Sequence, residues 1–125
     1  MEKYKHILLV TSEFPPQPGG IGNHAFNVAN QLQHQGCFVT VITDIRSTDG
    51  AAEKSFDATL NFKVIRIQRY KFIFYTYIKR LLIYRKYINE NKVSTVIASG
   101  KFPLWLVGFI KNNSAFEKMT VVHGS

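Results

Sequence analysis

"ILLVTSEFPPQPGGIGNHAFNVANQLQHQGCFVTVIT", residues 7–43, holds the pattern on which the fold turns. It opens inside "HILLV" (6–10), a short apolar run that reads as a buried strand. The stretch that follows, "TSEFPPQPGGIGNHA" (11–25), is more specialised than an ordinary strand-to-helix loop, which spans about 2–6 residues. It contains Pro15, Pro16 and Pro18, then glycines at 19, 20 and 22. From 23 to 35, Phe26, Val28, Ala29 and Leu32 recur near helical spacing, and Gly36 stands where a helix commonly ends. "FVTVIT" (38–43) is then a second buried strand.

Outward from this unit the alternation continues. "DIRSTDGAAEKSFDATLN" (44–61) is polar and turn-rich and is expected to be a loop. "KVIRIQ" (63–68) is a third strand, a long helix is expected over 72–91, and "TVIAS" (95–99) is a fourth strand. "PLWLVGFIKN" (103–112) suggests a short buried helix in which Trp105 serves as core, and "MTVVHG" (119–124) a fifth strand. Strands separated by helices predict an α/β fold with a Rossmann-like, doubly wound parallel sheet. The length of 125 residues suits one domain with one core. Because "VVHGS" stops just past a strand end, that domain is expected to be incomplete.

Composition narrows the classes further. No apolar run reaches the roughly 18 residues of a membrane span, and charged residues interrupt the first ten positions, so no secretory leader is expected. The single cysteine, Cys37, cannot form an internal disulfide, which points to a reducing cytoplasm and to a small packed residue. The four histidines lack metal-ligand spacing, so no metal site is expected. Of these, His6 and His34 are expected to be exposed and without special partners. The net charge is +8, and nine of the 16 basic residues fall between 63 and 92, opposed there only by Glu90. That asymmetry suggests an anionic partner, or else simply a solvated basic face.

The glycines carry the chemistry. Residues without side chains let the backbone take positive φ or approach a ligand closely. A helix opening near Asn23, with Asn23 as its N-cap, would offer unpaired N–H groups and a positive dipole end to a phosphate. The rival is a Pro/Gly turn with no ligand. Gly20, Gly22 and Ala25 also fit the G-x-G-x-x-G/A dinucleotide fingerprint, with Asp44 at a suitable distance after the second strand. That match is poor, because the fingerprint's first glycine should follow the strand at once and here about ten residues intervene. Glu13, on the same loop, either binds a hydroxyl group of a ligand or caps a turn. His24, in the first helical turn, either touches substrate or is solvated.

Taken together, residues 6–43 resemble the N-terminus of family-4-type glycosyltransferases, retaining enzymes of the GT-B fold. These open with a strand, an F-P-P-x-x-G-G loop, a helix, a glycine and a second strand of the V-T-V-[IL]-T kind. The present chain departs from them at Cys37-Phe38, where the family often has His and a small or acidic residue, and at Gly22, where an acidic residue is common. The resemblance implies a single Rossmann-like acceptor-side domain over 1–125, without the C-terminal donor-binding domain. The reaction implied is hexosyl transfer from a nucleotide-diphosphate sugar to a glycan or lipid-linked acceptor hydroxyl, with no other cofactor, in cell-envelope or exopolysaccharide synthesis. Gly19, Gly20, Gly22 and Gly124 would lie near the diphosphate, and His123 would contact the transferred sugar. In the family the nucleotide is held mainly through an E-x7-E motif, which this sequence lacks. The chain by itself is therefore expected to be inactive and to bind donor weakly.

The segment "RYKFIFYTYIKRLLIYRKYINENK" (69–92) reads as a helix with Phe74, Tyr77, Ile78, Leu81, Leu82, Tyr84 and Ile88 on the packing face. Lys79, Arg80 and Lys86 are then candidates for the inner, anionic face of a membrane, where the protein would sit peripherally. Nucleic acid is not expected, since the aromatics lie on the packing side and no RNA- or DNA-binding signature is present. The competing class is a non-catalytic basic module that docks on a membrane or a partner chain.

Overall fold

The computed structural model describes residues 6–16, 19–45, 50–67, 73–91, 93–99 and 118–122. In chain order they form β1 (His6–Thr11), α1 (Gly20–His34), β2 (Phe38–Asp44), α2 (Ala51–Asp57), β3 (Lys63–Ile67), α3 (Ile73–Glu90), β4 (Thr95–Ser99) and β5 (Lys118–Val122). The strands make one five-stranded sheet in the order β3-β2-β1-β4-β5, and every neighbouring pair is parallel. That is the doubly wound order, with the chain reversing its direction of travel across the sheet between β1 and β4. The expected fold class is the observed one. The expected helix over 103–112 with Trp105, and the end of the chain with His123 and Gly124, lie outside the described residues.

The strands are near-continuous apolar runs because both faces of the sheet are covered. Successive residues alternate faces. Leu8, Val10, Ile42, Val96 and Ala98 pack with Leu81, Tyr84, Tyr87 and Ile88 of α3. On the other face Leu9, Val39 and Val41 pack with Ala25 and Ala29 of α1, joined by Phe56 of α2 and by Phe62. Complete burial of Leu8, Val39, Val41 and Val96 fixes the registers, since a one-residue slip would exchange the two faces.

Local rules explain how α1 ends. Gly36 has φ +90°, its N–H bonds Gln33 O at 3.1 Å, and the N–H of Cys37 bonds Leu32 O at 3.0 Å. This is the double-bonded left-handed stop expected of a glycine at that position. Cys37 is half-buried against the α1-side core.

Three expectations need correction. The segment 44–61 is not simply a loop. It contains α2, capped by Gly50 at φ +76°, with Glu53 almost fully buried. Seven residues are too few to display an amphipathic period, whereas "AAEK" behind a glycine was the available signal. The face of α3 is also turned. Its buried side is Arg80, Leu81, Tyr84, Tyr87 and Ile88, while Ile78 is 40% and Leu82 56% exposed. The third correction is His6, which is half-buried rather than free. Its Nδ1–H donates to Asn91 O at 2.8 Å, its Nε2 meets Tyr87 Oη at 3.0 Å, and its ring stacks on Phe38 with centroids 4.6 Å apart. Burial lowers its pKa from the ordinary value; the Asn91 carbonyl opposes that shift and the Lys63 charge adds to it.

Candidate functional site

In an open α/β sheet ligands bind beyond the carboxyl ends of the strands, at the point where strand order reverses. Here that point lies between β1 and β4, where Thr11 is in register with Ser99. The loop that follows β1 starts there.

The loop begins with a side-chain turn. Thr11 Oγ1 donates to Glu13 O at 2.8 Å and accepts from Glu13 N–H at 3.3 Å. The turn sends Phe14 back into the core, where it is 1% exposed and its ring meets Phe26 at 6.0 Å and Phe56 and Phe62 at 6.4 Å. Pro15 follows, joined to Pro16 by a cis bond. Arg66 of β3 then locks the loop from the side. Its Nη2 donates to Pro15 O at 2.8 Å and to Asp57 Oδ1 at 2.7 Å, its Nε to Asp57 Oδ2 at 3.0 Å, and its Nη1 to Asp44 O at 3.3 Å. The guanidinium also lies 5.6 Å from the centroid of the Phe14 ring. One side chain thus ties together the loop, the end of β2 and the end of α2. The sequence offered no sign of this, because Arg66 reads there only as one more basic residue.

The three glycines separate into different physical roles. Gly19, the N-cap, has φ +149°, and a β-carbon there would come within 2.7 Å of Glu13 Oε1. Gly22 is buried against the loop it serves: a β-carbon would stand 3.0 Å from Phe14 N and 3.1 Å from Phe14 Cα. At Gly20 a β-carbon would meet nothing within 4 Å. Gly19 therefore answers to its backbone conformation and Gly22 to the chain's own packing, while Gly20 faces open space. Asn23 is not the N-cap. The helix opens three residues earlier, and the Asn23 N–H bonds Gly19 O at 3.0 Å. The first-turn amides at Gly20, Ile21 and Gly22 have no carbonyl within the helix to receive them. Asn23 and His24 are exposed beside them, and Glu13 is half-buried with its carboxylate next to Gly19.

Beneath this opening the strand ends are hydroxylic. Thr11, Thr43 and Ser99 alternate onto the α1 face of the sheet with Leu9, Val41 and Ile97. Among the described residues, Thr43 Oγ1 and Ser99 Oγ are the buried side-chain polar atoms without a hydrogen-bond partner. Polar atoms in that condition are uncommon in folded proteins. The other face behaves differently. Asp44, 2% exposed, is held by Arg80, 8% exposed, through a contact from Nη2 to Oδ2 and a 3.2 Å bond from Nε to Oδ1. Arg80, expected on a membrane-facing surface, is therefore inside the protein. The neighbouring Tyr84 is fully buried, and burial raises its phenol well above the ordinary range, so it stays neutral. Lys79 is half-buried and Lys86 exposed. Among the described residues no three His, Cys, Asp or Glu side chains gather as a metal would require.

The class these features define is a Rossmann-like α/β domain with an open helix terminus at its switch point. No protein-family model matches the chain, and no curated protein matches it.

Proposed function

We propose that the chain is the acceptor-side half of a retaining, GT-B-type glycosyltransferase, with the loop between β1 and α1 as its donor-phosphate subsite. The observation that carries this reading is the pairing of an unobstructed Gly20, first residue of α1, with a loop fastened by Phe14 and Arg66 beside the carboxyl ends of β1 and β4. In the transfer, the bond from the anomeric carbon to the diphosphate oxygen breaks, a bond to the acceptor oxygen forms, and the acceptor's hydroxyl proton passes to the departing diphosphate. The developing charge on the diphosphate would be met by amides that need no reorganisation. Glu13, Asn23 and His24 ring the same opening and are suited to sugar or acceptor hydroxyls. His123, which the family resemblance assigns to the sugar, and Gly124, which it assigns to the diphosphate, stay part of the proposal on sequence alone.

The dinucleotide reading has lost its acid. A ribose-binding carboxylate has to be free at the end of β2, whereas Asp44 is buried and committed to Arg80. The glycine helix also starts nine residues after β1 ends, at Gly20 against Thr11.

The test is a titration of the 15N-labelled chain with UDP, UDP-sugars and GDP-sugars, using NAD as control. Shifts concentrated at Gly20 and Ile21, with affinity weaker than micromolar, are expected. Shifts produced only by NAD, or none at this helix terminus at saturating nucleotide sugar, would refute the proposal.

A further inference from the structure

We infer that the outward arc of α3 is a docking face for an anionic membrane surface. The inference stands apart from the proposed reaction and rests on which α3 side chains the sheet leaves outside. At about 100° per residue, Arg80, Leu81, Tyr84, Tyr87 and Ile88 fall on one arc, and all are buried. The opposite arc presents Tyr75, 49% exposed, with Ile78 at 40% and Leu82 at 56%. These occupy one stripe at spacings of three and four residues, the spacing of neighbours on a helix surface. Lys79, Arg85 and Lys86 share that arc, and Glu90 at the end of the helix is its one acidic residue. Because Arg80 is turned inward, the three cations that remain all flank the apolar stripe.

Two exposed aliphatic residues framed by cations, on a helix lying flat against its domain, suit a bilayer interface. Acyl chains receive Ile78 and Leu82 while lipid phosphates receive the three cations. No described helix is long and apolar enough to cross a membrane, so the contact is one of lying on the surface. A second copy of the chain fits less well, since two such arcs face to face would oppose like charges. Nucleic acid supplies the negative charge but leaves Ile78 and Leu82 without an apolar partner.

The test is co-sedimentation of the chain with phosphatidylcholine vesicles, with and without phosphatidylglycerol. Binding is expected only to the anionic vesicles and should weaken as salt is raised. The variant Lys79→Gln/Arg85→Gln/Lys86→Gln should reduce the partition coefficient on the order of a hundredfold, each cation counting about fivefold. The variant Ile78→Ser/Leu82→Ser changes only exposed positions and should reduce it about tenfold or more, with the helical circular dichroism retained. Equal binding to neutral vesicles, or binding to anionic vesicles unchanged in both variants, overturns the inference. So does self-association in sedimentation velocity that Leu82→Ser abolishes, which would give the face to a second copy. The salt series needs no variant and tests the electrostatic half directly.

Discussion

The two ends of the sheet are fastened by different chemistry. At the carboxyl ends ionic groups do the work: Arg66 joins Asp57 and the Pro15 carbonyl, and Arg80 joins Asp44. At the amino ends the fasteners are His6, Tyr87 and Thr40, with Thr40 Oγ1 and Tyr87 Oη 2.7 Å apart and His6 between them and Asn91. A depression of about 360 Å³ lined by Gln33, Gly36, Cys37, Phe38 and Asn61 also lies at that amino end, away from the switch point. The contrast follows from what each end holds in place. A loop carrying open amides needs rigid, directional anchors, which forked guanidinium bonds provide. The amino end has only to close the sheet against α3, and neutral hydrogen bonds suffice.

Substitutions can sharpen or break this contrast. The largest effect is expected for Asp44→Ala, which removes the carboxylate that holds the buried Arg80. It should cost about 3–5 kcal/mol in urea denaturation, whereas Asp44→Leu with Arg80→Met should recover most of that loss. A loss under about 1 kcal/mol would mean that the ionic end is not ionic in its energetics. Next comes Arg66→Met, which removes four donated bonds and should cost about 2–3 kcal/mol. Faster hydrogen exchange at Phe14 and Gly22 should accompany it, and unchanged exchange there would separate Arg66 from the loop.

The glycines give a smaller, internal comparison. Gly22→Ala should cost about 1–3 kcal/mol because its β-carbon meets the Phe14 backbone, while Gly20→Ala should fall within about 0.5 kcal/mol. Equal effects at the two positions would dissolve the distinction between a packing glycine and an open one. At the neutral end, Thr40→Val should cost about 1 kcal/mol.

The neutral end should also respond to acid. The pKa of His6 is lowered, chiefly by burial, so the unfolded chain takes up the proton first. The stability linked to neutral His6 is therefore full above 6.5 and is lost as pH falls from there through the lower folded value. His6→Gln should flatten that part of the pH profile in thermal melts. A profile of the same slope in the variant would assign the dependence to other groups.

Much of this was legible because short-range signals agreed with one another. Apolar runs of five or six residues, a glycine stop at Gly36 and the Pro/Gly loop each carry a local mechanism. What escaped were relations across space. Nothing in the neighbourhood of Arg66 points to Pro15, 51 residues earlier, or to the carboxylate of Asp57. His6 looked like a terminal surface residue until α3 brought Tyr87 and Asn91 to it. On α3 itself aromatic, aliphatic and basic residues are spread around the whole circumference, and its period pointed to a packing arc that included Ile78 and Leu82, which the sheet leaves outside.

The sequence by itself determined the alternating α/β class, the succession of the five strands and the bend ahead of α1. Periodicity, helix stops and side-chain-free positions act within a few residues of one another. Only the tertiary structure decided which glycine stays open, that Asp44 and Arg80 neutralise each other inside the protein, and that Ile78 and Leu82 face outward. Those outcomes depend on distances and burial between segments remote in the chain, and such quantities exist only once the sheet has assembled.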